Sequence, residues 1–265
     1  MSTDSLDLLG VAQTAGRAAA GLVRTAERVQ VAATKSSPVD PVTQFDRDSE
    51  ALIAEVIRRH RPTDTILGEE GGRRQGTSSV RWIVDPIDGT VNFLYGLPEY
   101  AVSIAAEVDG EVVAGVVINV AQNVEYTAYR DAEGTVHSRR NGAPIRVRPE
   151  AELSQRLIAT GFSYDPDLRV RQAECLTRLI GRVRDIRRNG AAALELCHVA
   201  EGQLDGYFES ALNEWDYAAG ALIAVGAGAA FSVEPGLGAV PLVVCAPTAG
   251  FASLSEAVHR AGYGG

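Results

Sequence analysis

Trp82-Ile83-Val84-Asp85-Pro86-Ile87-Asp88-Gly89-Thr90 carries an apolar segment straight into two carboxylates three residues apart. The first three residues read as a buried strand, and Pro86 and Gly89 force a tight turn around the acids. Two acids at the end of a buried strand repel each other and lose hydration, so a positive charge should stand between them. No basic residue occurs from Trp82 to Leu97. A metal ion is the economical counter-charge. A capped turn is the rival reading, because Asp, Pro and Gly are common turn residues.

Working outward, residues 100–108 and 111–120 read as strands joined by Asp109-Gly110, a two-residue hairpin signal. Residues 123–130, 135–139 and 144–147 continue this meander. On the other side, residues 4–33 read as one long amphipathic helix and residues 35–41 as a proline-barred loop. A second helix follows through residues 49–60, with Asp46 or Asp48 as its cap. Residues 65–67 form a short strand, and residues 71–79, rich in Gly, Arg and Ser, read as mobile. From about Pro149 the texture changes. Strands at 157–162, 183–187, 204–208 and 242–246 alternate with helices at 168–180, 191–200, 215–229 and 249–261. An α/β (α+β) chain is expected, antiparallel-rich first and alternating afterwards. It reads as one domain over 1–265, with lobes of about 1–148 and 149–265.

The chain has 265 residues, a net charge of −9 and 46% hydrophobic residues, enough for a large core. The acidic balance argues against nucleic acid as a partner, since binding phosphate backbones needs a basic face. Residues 1–9 lack the basic start of a signal peptide. The apolar run 217–233, between Asp216 and Glu234, reads as a buried helix and strand, so no membrane partner is expected. Cys175, Cys197 and Cys245 are odd in number and form no CxxC motif, as for reduced thiols in a cytoplasmic protein. Of 25 basic residues all but Lys35 are Arg. Lys35 is either retained for its compact ammonium or a chance surface survivor.

Acids cluster at element ends in four places: Asp46, Glu69-Glu70, Asp85 with Asp88, and Asp216. No His or Cys accompanies them, which suits Mg²⁺, Ca²⁺ or Mn²⁺ and excludes a structural zinc. A calcium loop opening at Asp85 would need Glu at position twelve, which is Gly96, and an oxygen side chain at position three, which is Ile87. That reading fails. Two Mg²⁺ ions holding the attacking and leaving oxygens of a phosphate ester fit better. Asp85 can bridge them, Asp88 can reach the second, and the Gly89 and Thr90 amides can open a helix facing phosphate. Against this, Asp216 could be only a helix cap and Glu209 only a solvated strand end. His60, His137, His198 and His259 show no ligand spacing and read as structural or surface residues.

Gly68-Glu69-Glu70, the stretch from Trp82 to Phe93, and Trp215-Asp216-Tyr217-Ala218-Ala219-Gly220 resemble the three signatures of the inositol monophosphatase family. The segments 35–40 and 190–193 resemble it too, and the likeness runs over about residues 8–247, closest to bacterial and actinobacterial members. The resemblance implies a layered αβαβα sandwich, a homodimer, and a Mg²⁺-dependent, lithium-sensitive phosphatase acting on myo-inositol 1-phosphate. It implies that Glu69, Asp85 and the Ile87 carbonyl hold one Mg²⁺, and Asp85, Asp88 and Asp216 a second. A weaker third ion would lean on Glu69, and Mn²⁺ could substitute. Thr90, bonded to Asp46, would help Glu69 and the ions activate water. Asp88, Gly89, Thr90 and Asp216 would face the phosphate side, and Ser163, Gly190, Ala192 and Glu209 the alcohol, with Lys35 as electrostatic support. Histidinol phosphate, fructose 1,6-bisphosphate or a 3′-phosphonucleotide are the rival substrates. A non-catalytic binding protein on the same fold is the rival from another class.

Overall fold

The computed structural model describes residues 4–26, 30–35 and 41–265. Helix α1 (Ser5–Val23) starts at Asp4, whose carboxylate accepts the Leu6 amide. Its buried face runs from Leu8 through Ala12, Ala15 and Ala19 to Val23 and ends there. The expected helix over 4–33 is therefore too long. Residues 31–34 are instead strand β1 (Val31–Thr34), antiparallel to β2 (Pro41–Thr43). Residues 27–29 of that helix, and 36–40 of the expected loop, lie outside the described residues.

Helix α2 (Gln44–His60) starts earlier than its apolar pattern alone suggests. Its N-cap is Thr43, and neither Asp46 nor Asp48 takes that place. Asp46 is the third helical residue, and its carboxylate reaches back to the Thr43 amide in a capping box. The first apolar residues of a helix mark where burial starts, whereas the cap lies a turn before it.

The next strands are β3 (Thr65–Gly68), β4 (Gly72–Arg74) and β5 (Val80–Asp88), followed by the short helix α3 (Thr90–Tyr95). Strands β6 (Ala101–Val108), β7 (Glu111–Asn119), β8 (Val124–Arg130), β9 (Val136–Arg140) and β10 (Ala143–Pro144) complete an eight-stranded sheet. Its order is β10-β9-β8-β7-β6-β5-β3-β4, parallel only between β3 and β5. Residues 71–79, read as mobile, are bonded. β4 pairs with β3, the Thr77 and Ser78 amides donate to the Thr63 carbonyl, and the Gly76 amide donates to Thr65 Oγ1. Composition alone could not show that sheet edge.

The second half contributes β11 (Leu157–Thr160), α4 (Pro166–Leu179), β12 (Asp185–Arg187), α5 (Ala192–Ala200) and β13 (Gly206–Ser210). After these come α6 (Glu214–Gly226), β14 (Ala229–Pro235), β15 (Pro241–Pro247) and α7 (Thr248–Ala261). A five-stranded sheet has the order β12-β11-β13-β15-β14. The helix expected to reach residue 229 stops at Gly226, and Ala229 already pairs with Pro247 in the sheet.

Strand alternation builds the layers. On β5, Trp82 and Val84 turn toward α1 and α2 with Ile104 and Ile118, and Ile83 turns toward α5 and α6 with Ala105 and Val117. The other side of α5 and α6 packs on the five-stranded sheet, whose far face carries α4 and α7 around Phe208 and Leu254. The order is helix pair, sheet, helix pair, sheet, helix pair, the expected αβαβα sandwich. All three cysteines are free and buried. Among the described residues no helix is long and apolar enough to cross a membrane.

One buried carboxylate anchors the strand that leads to the acids. Asp64 accepts the Trp82 indole N–H at 3.0 Å, Arg61 Nε at 2.7 Å and the Ser78 hydroxyl at 2.7 Å. Replacing it by Ala removes the acid from a buried ion pair, a change that costs about 3–5 kcal/mol. Urea unfolding of Asp64→Ala should show that loss, with Asp64→Asn recovering part of it. A midpoint equal to the parent's would rule out this anchor.

Candidate active site

Strand β5 would place Asp85 and Asp88 on opposite faces if it were regular, because they are an odd number of residues apart. It is not regular. Asp85 pairs with Ser103 and Asp88 with Ala101, so three steps on β5 match two on β6. The extra residue is a bulge at Pro86-Ile87, where proline's missing N–H is tolerated. The bulge brings both acids to one cleft of about 560 Å³. Gly89 follows with φ +88°, and a side chain there would also run into the Glu99 carbonyl at 2.8 Å. Only glycine allows the chain to enter α3 at this point.

The N-terminal ends of α3, α5 and α6 open on the same cleft through Thr90, Ala192 and Asp216. Helix N-termini favour negative charge. Asp88 exploits this, accepting the Ala192 and Ala193 amides at 3.2 and 2.8 Å and so capping α5 from another sheet. Asp216 is not the N-cap of α6; Asn213 is. Asp216 is its third residue, and one oxygen accepts the Asn213 amide at 2.6 Å. The capping role and a place in the cleft coexist. Asp85 accepts the Ile87 amide at 3.0 Å.

Glu69 enters from the end of β3. The turn it belongs to is held by Glu50, whose carboxylate accepts the Glu70 and Gly71 amides at 2.8 and 2.7 Å. Lys35 Nζ lies 2.7 Å from both Glu69 and Glu70. Its ammonium thus bridges two acids of the cleft rim and is not a surface bystander. Thr90 Oγ1 lies 3.1 Å from Asp46 Oδ1 and 3.1 Å from the Ile87 carbonyl. Opposite, Ser163, Gly190, Ala192 and Glu209 line the remaining wall with Arg188. All the residues expected at the site are thereby brought to one cleft or, for Asp46, bonded to its edge.

The electrostatics are those of crowded anions. Asp85 and Asp88 are buried, and burial pushes their carboxyls well above the usual range, with Glu69, Asp88 and Asp216 adding to the rise at Asp85. Burial, then Glu69, pushes Asp216 up to about 8. Burial raises Glu69 as well, against Lys35. At Lys35 burial works against the charge, but Glu69 and Glu70 outweigh it and the ammonium is held above its ordinary range. Asp46 is raised by burial, and its bonds from Thr43 and Thr90 oppose that.

As posed, no three acid, His or Cys side chains among the described residues enclose an ion. Lys35 holds Glu69, and Asp88 and Asp216 each spend oxygens on helix amides. The donor chemistry still fits a hard cation. Glu69, Asp85, Asp88, Glu209 and Asp216 line the cleft, and among the described residues Lys35 and Arg188 are the cations that line it. Such an excess of buried anions, each raising its neighbours, is relieved by divalent charge. A larger groove of about 810 Å³ between α1 and the β8–β9 face lacks this character, its Arg17 and Arg24 being bonded to Glu125 and Asn123. His198 lies away from the cleft, 3.7 Å from Glu195 and 3.9 Å from Glu99.

Sequence reading missed Glu50 and Arg188. Glu50 had a signal: residues 46, 50, 53 and 57 share one helix face, so an acid stands among Ile53 and Ile57 on the buried stripe. Arg188 had none, since its place over the cleft depends on how β12 meets α5.

Comparison with known proteins agrees with this geometry. The model of the Inositol monophosphatase family matches residues 4–258. The inositol-1-monophosphatase SuhB of Mycobacterium tuberculosis is 44% identical over 91% of this chain and 85% of its own length. A solved structure of Mycobacterium tuberculosis SuhB superposes with a TM-score of 0.81 at 40% identity, covering 98% of each chain. A Haemophilus influenzae relative named Nus factor SuhB is 41% identical over 83% of each chain. With the three sequence signatures gathered around one acidic cleft, the chain belongs to the inositol monophosphatase family and is a phosphatase.

Proposed function

We propose that this phosphatase is a Mg²⁺-dependent phosphomonoesterase that hydrolyses myo-inositol 1-phosphate or a closely similar polyol phosphate. The observation that carries the reading is the meeting of Glu69, Asp85, Asp88, Asp216 and Thr90 on one wall of a cleft with Glu209 on the other. Glu69, Asp85, the Ile87 carbonyl, Asp88 and Asp216 are the residues that would hold Mg²⁺. When bound, Mg²⁺ supplies Lewis-acid charge for phosphate oxygens and lowers the pKa of water.

The chain's own part is orientation and proton handling. Thr90 Oγ1 can give its proton to Asp46 Oδ1 while accepting one from a water placed in the cleft. Burial keeps Asp46 a better base than an exposed carboxylate. The water oxygen then bonds to phosphorus as the bond to the alcohol oxygen breaks in line, and the departing alkoxide takes a proton from a second water in the cleft to leave as the alcohol. The helix N-termini and Lys35 offset the phosphate charge. Glu209 accepts a hydroxyl of the alcohol, which favours a polyol over an aryl group. A single-domain chain, a cytoplasmic location and a homodimer are part of the same proposal, supported by the free buried cysteines and by the family.

A phosphate-release panel with Mg²⁺ tests the substrate. Inositol 1-phosphate should outpace histidinol phosphate, fructose 1,6-bisphosphate and 3′-phosphoadenosine 5′-phosphate; a clear preference for any of the last three would replace the reading.

Asp85→Asn and Asp216→Asn test the cation site in two ways. Turnover should fall at least about 100-fold, in line with losses at metal sites. The sign for stability is opposite. Both carboxyls titrate higher in the folded protein than unfolded, so folding without Mg²⁺ weakens as pH rises from the unfolded value through the folded one, about 8 for Asp216. Each Asn variant without metal should therefore melt higher than the parent at pH 8 and gain less from added Mg²⁺. Equal Mg²⁺-induced shifts in parent and variants would reject these ligands.

Burial pushes Glu209 up to about 7, against bonds from Tyr207 and the charge of Arg188. Below that pH it protonates and loses acceptor strength. KM for inositol 1-phosphate should rise as pH falls through 7, and more steeply than KM for 4-nitrophenyl phosphate. Parallel pH profiles for the two substrates would take Glu209 out of alcohol recognition.

A further inference from the structure

Glu209 must offer its carboxylate to the cleft in one defined orientation to choose among alcohols. Side chains two apart on a strand share a face, and on β13 the partner of Glu209 is Tyr207. Tyr207 is fully buried, and its hydroxyl donates to Glu209 Oε2 at 2.8 Å. Among the described residues the other oxygen, Oε1, accepts no bond from the protein. A phenylalanine would fill the same apolar space, so packing does not require the hydroxyl; a buried tyrosine hydroxyl does require a partner.

A second observation comes from the neighbouring strand. Just beyond β11, Gly161 lies against the same carboxylate. A β-carbon there would stand 2.0 Å from Glu209 Oε2 and 2.1 Å from Oε1. The carboxylate thus lies in a slot that only glycine leaves open, gripped at one oxygen from below.

We propose that Tyr207 is a positioning residue for alcohol selection: the whole Glu209 carboxylate lies against Gly161, Tyr207 engages Oε2, and Oε1 is the oxygen left for the substrate's hydroxyl. Glu209 then acts as a single fixed acceptor and not as a swinging bidentate one. The inference rests on the reading that Glu209 receives the alcohol. The bond from Tyr207 also favours the ionised carboxylate, keeping Glu209 charged to lower pH than its surroundings alone would.

The test is steady-state kinetics of the full chain with Mg²⁺ on inositol 1-phosphate and 4-nitrophenyl phosphate, from pH 6 to 9. In Tyr207→Phe, KM for inositol 1-phosphate should rise about five- to tenfold, the factor expected for one lost hydrogen bond to a charged group. KM for the aryl phosphate should rise less than twofold. The pH at which KM for inositol 1-phosphate begins to climb should move upward, a shift that a packing defect would not produce. Gly161→Ala, which displaces the carboxylate from the other side, should give the same substrate-selective loss and serves if Tyr207→Phe folds poorly by circular dichroism. Glu209→Gln separates the two levels of the argument. If it loses selectivity while Tyr207→Phe keeps the parent's KM ratio and pH midpoint, the positioning role is overturned and the alcohol site stands. If Glu209→Gln itself shows no selectivity, the reading of Glu209 fails and the inference with it.

Discussion

Repulsion between buried carboxylates is the constraint to which the rest of the molecule answers. Asp85 and Asp88 are held at 2% and 8% exposure beside Glu69 and Asp216, a crowding that no fold would tolerate without fixed positive partners. The protein meets most of that need with backbone. Asp88 caps α5, Asp216 closes the capping box of α6, Asp85 folds onto the Ile87 amide and Asp46 onto Thr43. Each acid thereby has its orientation set by an amide before any ligand arrives. Preorganised donors cost nothing at the moment of reaction, and the cost of assembling them is spread through the folding of three helices and the β5 bulge. Lys35 adds a side-chain charge to the scheme, reaching Glu69 and Glu70 from the end of β1.

The layers divide the labour. Every acid assigned to the phosphate side except Asp216 comes from α2 or from the ends of β3 and β5 in the eight-stranded sheet. Glu209, Ser163 and Arg188 come from the five-stranded sheet or its connections. The α5–α6 pair lies between the sheets, and both of its N-termini reach the cleft. If Glu209 receives the alcohol as proposed, substitutions at the end of β13 alter alcohol choice without touching the amide bonds of Asp85 or Asp88. The slot formed by Gly161 and Tyr207 shares no hydrogen bond with Asp85, Asp88 or Asp216, although the Glu209 charge is felt at Asp88 and Asp216.

Much of this was legible in the sequence, and what was not has physical causes. The Asp109-Gly110 turn and the apolar runs on either side of it placed β6 and β7 within a residue of their ends, because both strands bury both faces between helix layers. Asp85 and Asp88 stood out because acids at an apolar strand end are energetically conspicuous, whereas Asp46, Asp216 and Glu209 took their roles only from the family resemblance. The N-terminal helix was overextended because Ala-rich composition continues after the buried face has ended at Val23, and propensity does not register the loss of a packing partner. Residues 71–79 were misjudged because their order comes from hydrogen bonds to Thr63 and Thr65, more than ten residues away for Gly76 and Ser78. The bulge at Pro86-Ile87 is the instructive case. Its proline was visible, but its effect on which way Asp88 points depends on pairing with β6, which no local pattern contains.

That bulge also explains why the two acids stand three residues apart. A regular strand needs an even spacing to bring two side chains to one face, which would put a residue of either polarity on the opposite side. The odd spacing with one inserted residue does three things at once. It returns Asp88 to the face of Asp85 and leaves Ile87 buried at 1% exposure. It also frees the Ile87 carbonyl from the ladder, to lie 3.1 Å from the Thr90 hydroxyl. Proline at the bulge removes a donor that would otherwise need a partner, and Ser49 instead donates to the Pro86 carbonyl from α2. The turn is then fixed from three directions: by Ser49 on one helix pair, by the Ala192 and Ala193 amides on another, and by the positive φ of Gly89 between them. A site built this way requires both helix layers to be docked before its acids converge. The carboxylate repulsion is therefore met only in the completed sandwich and not in any isolated strand of it.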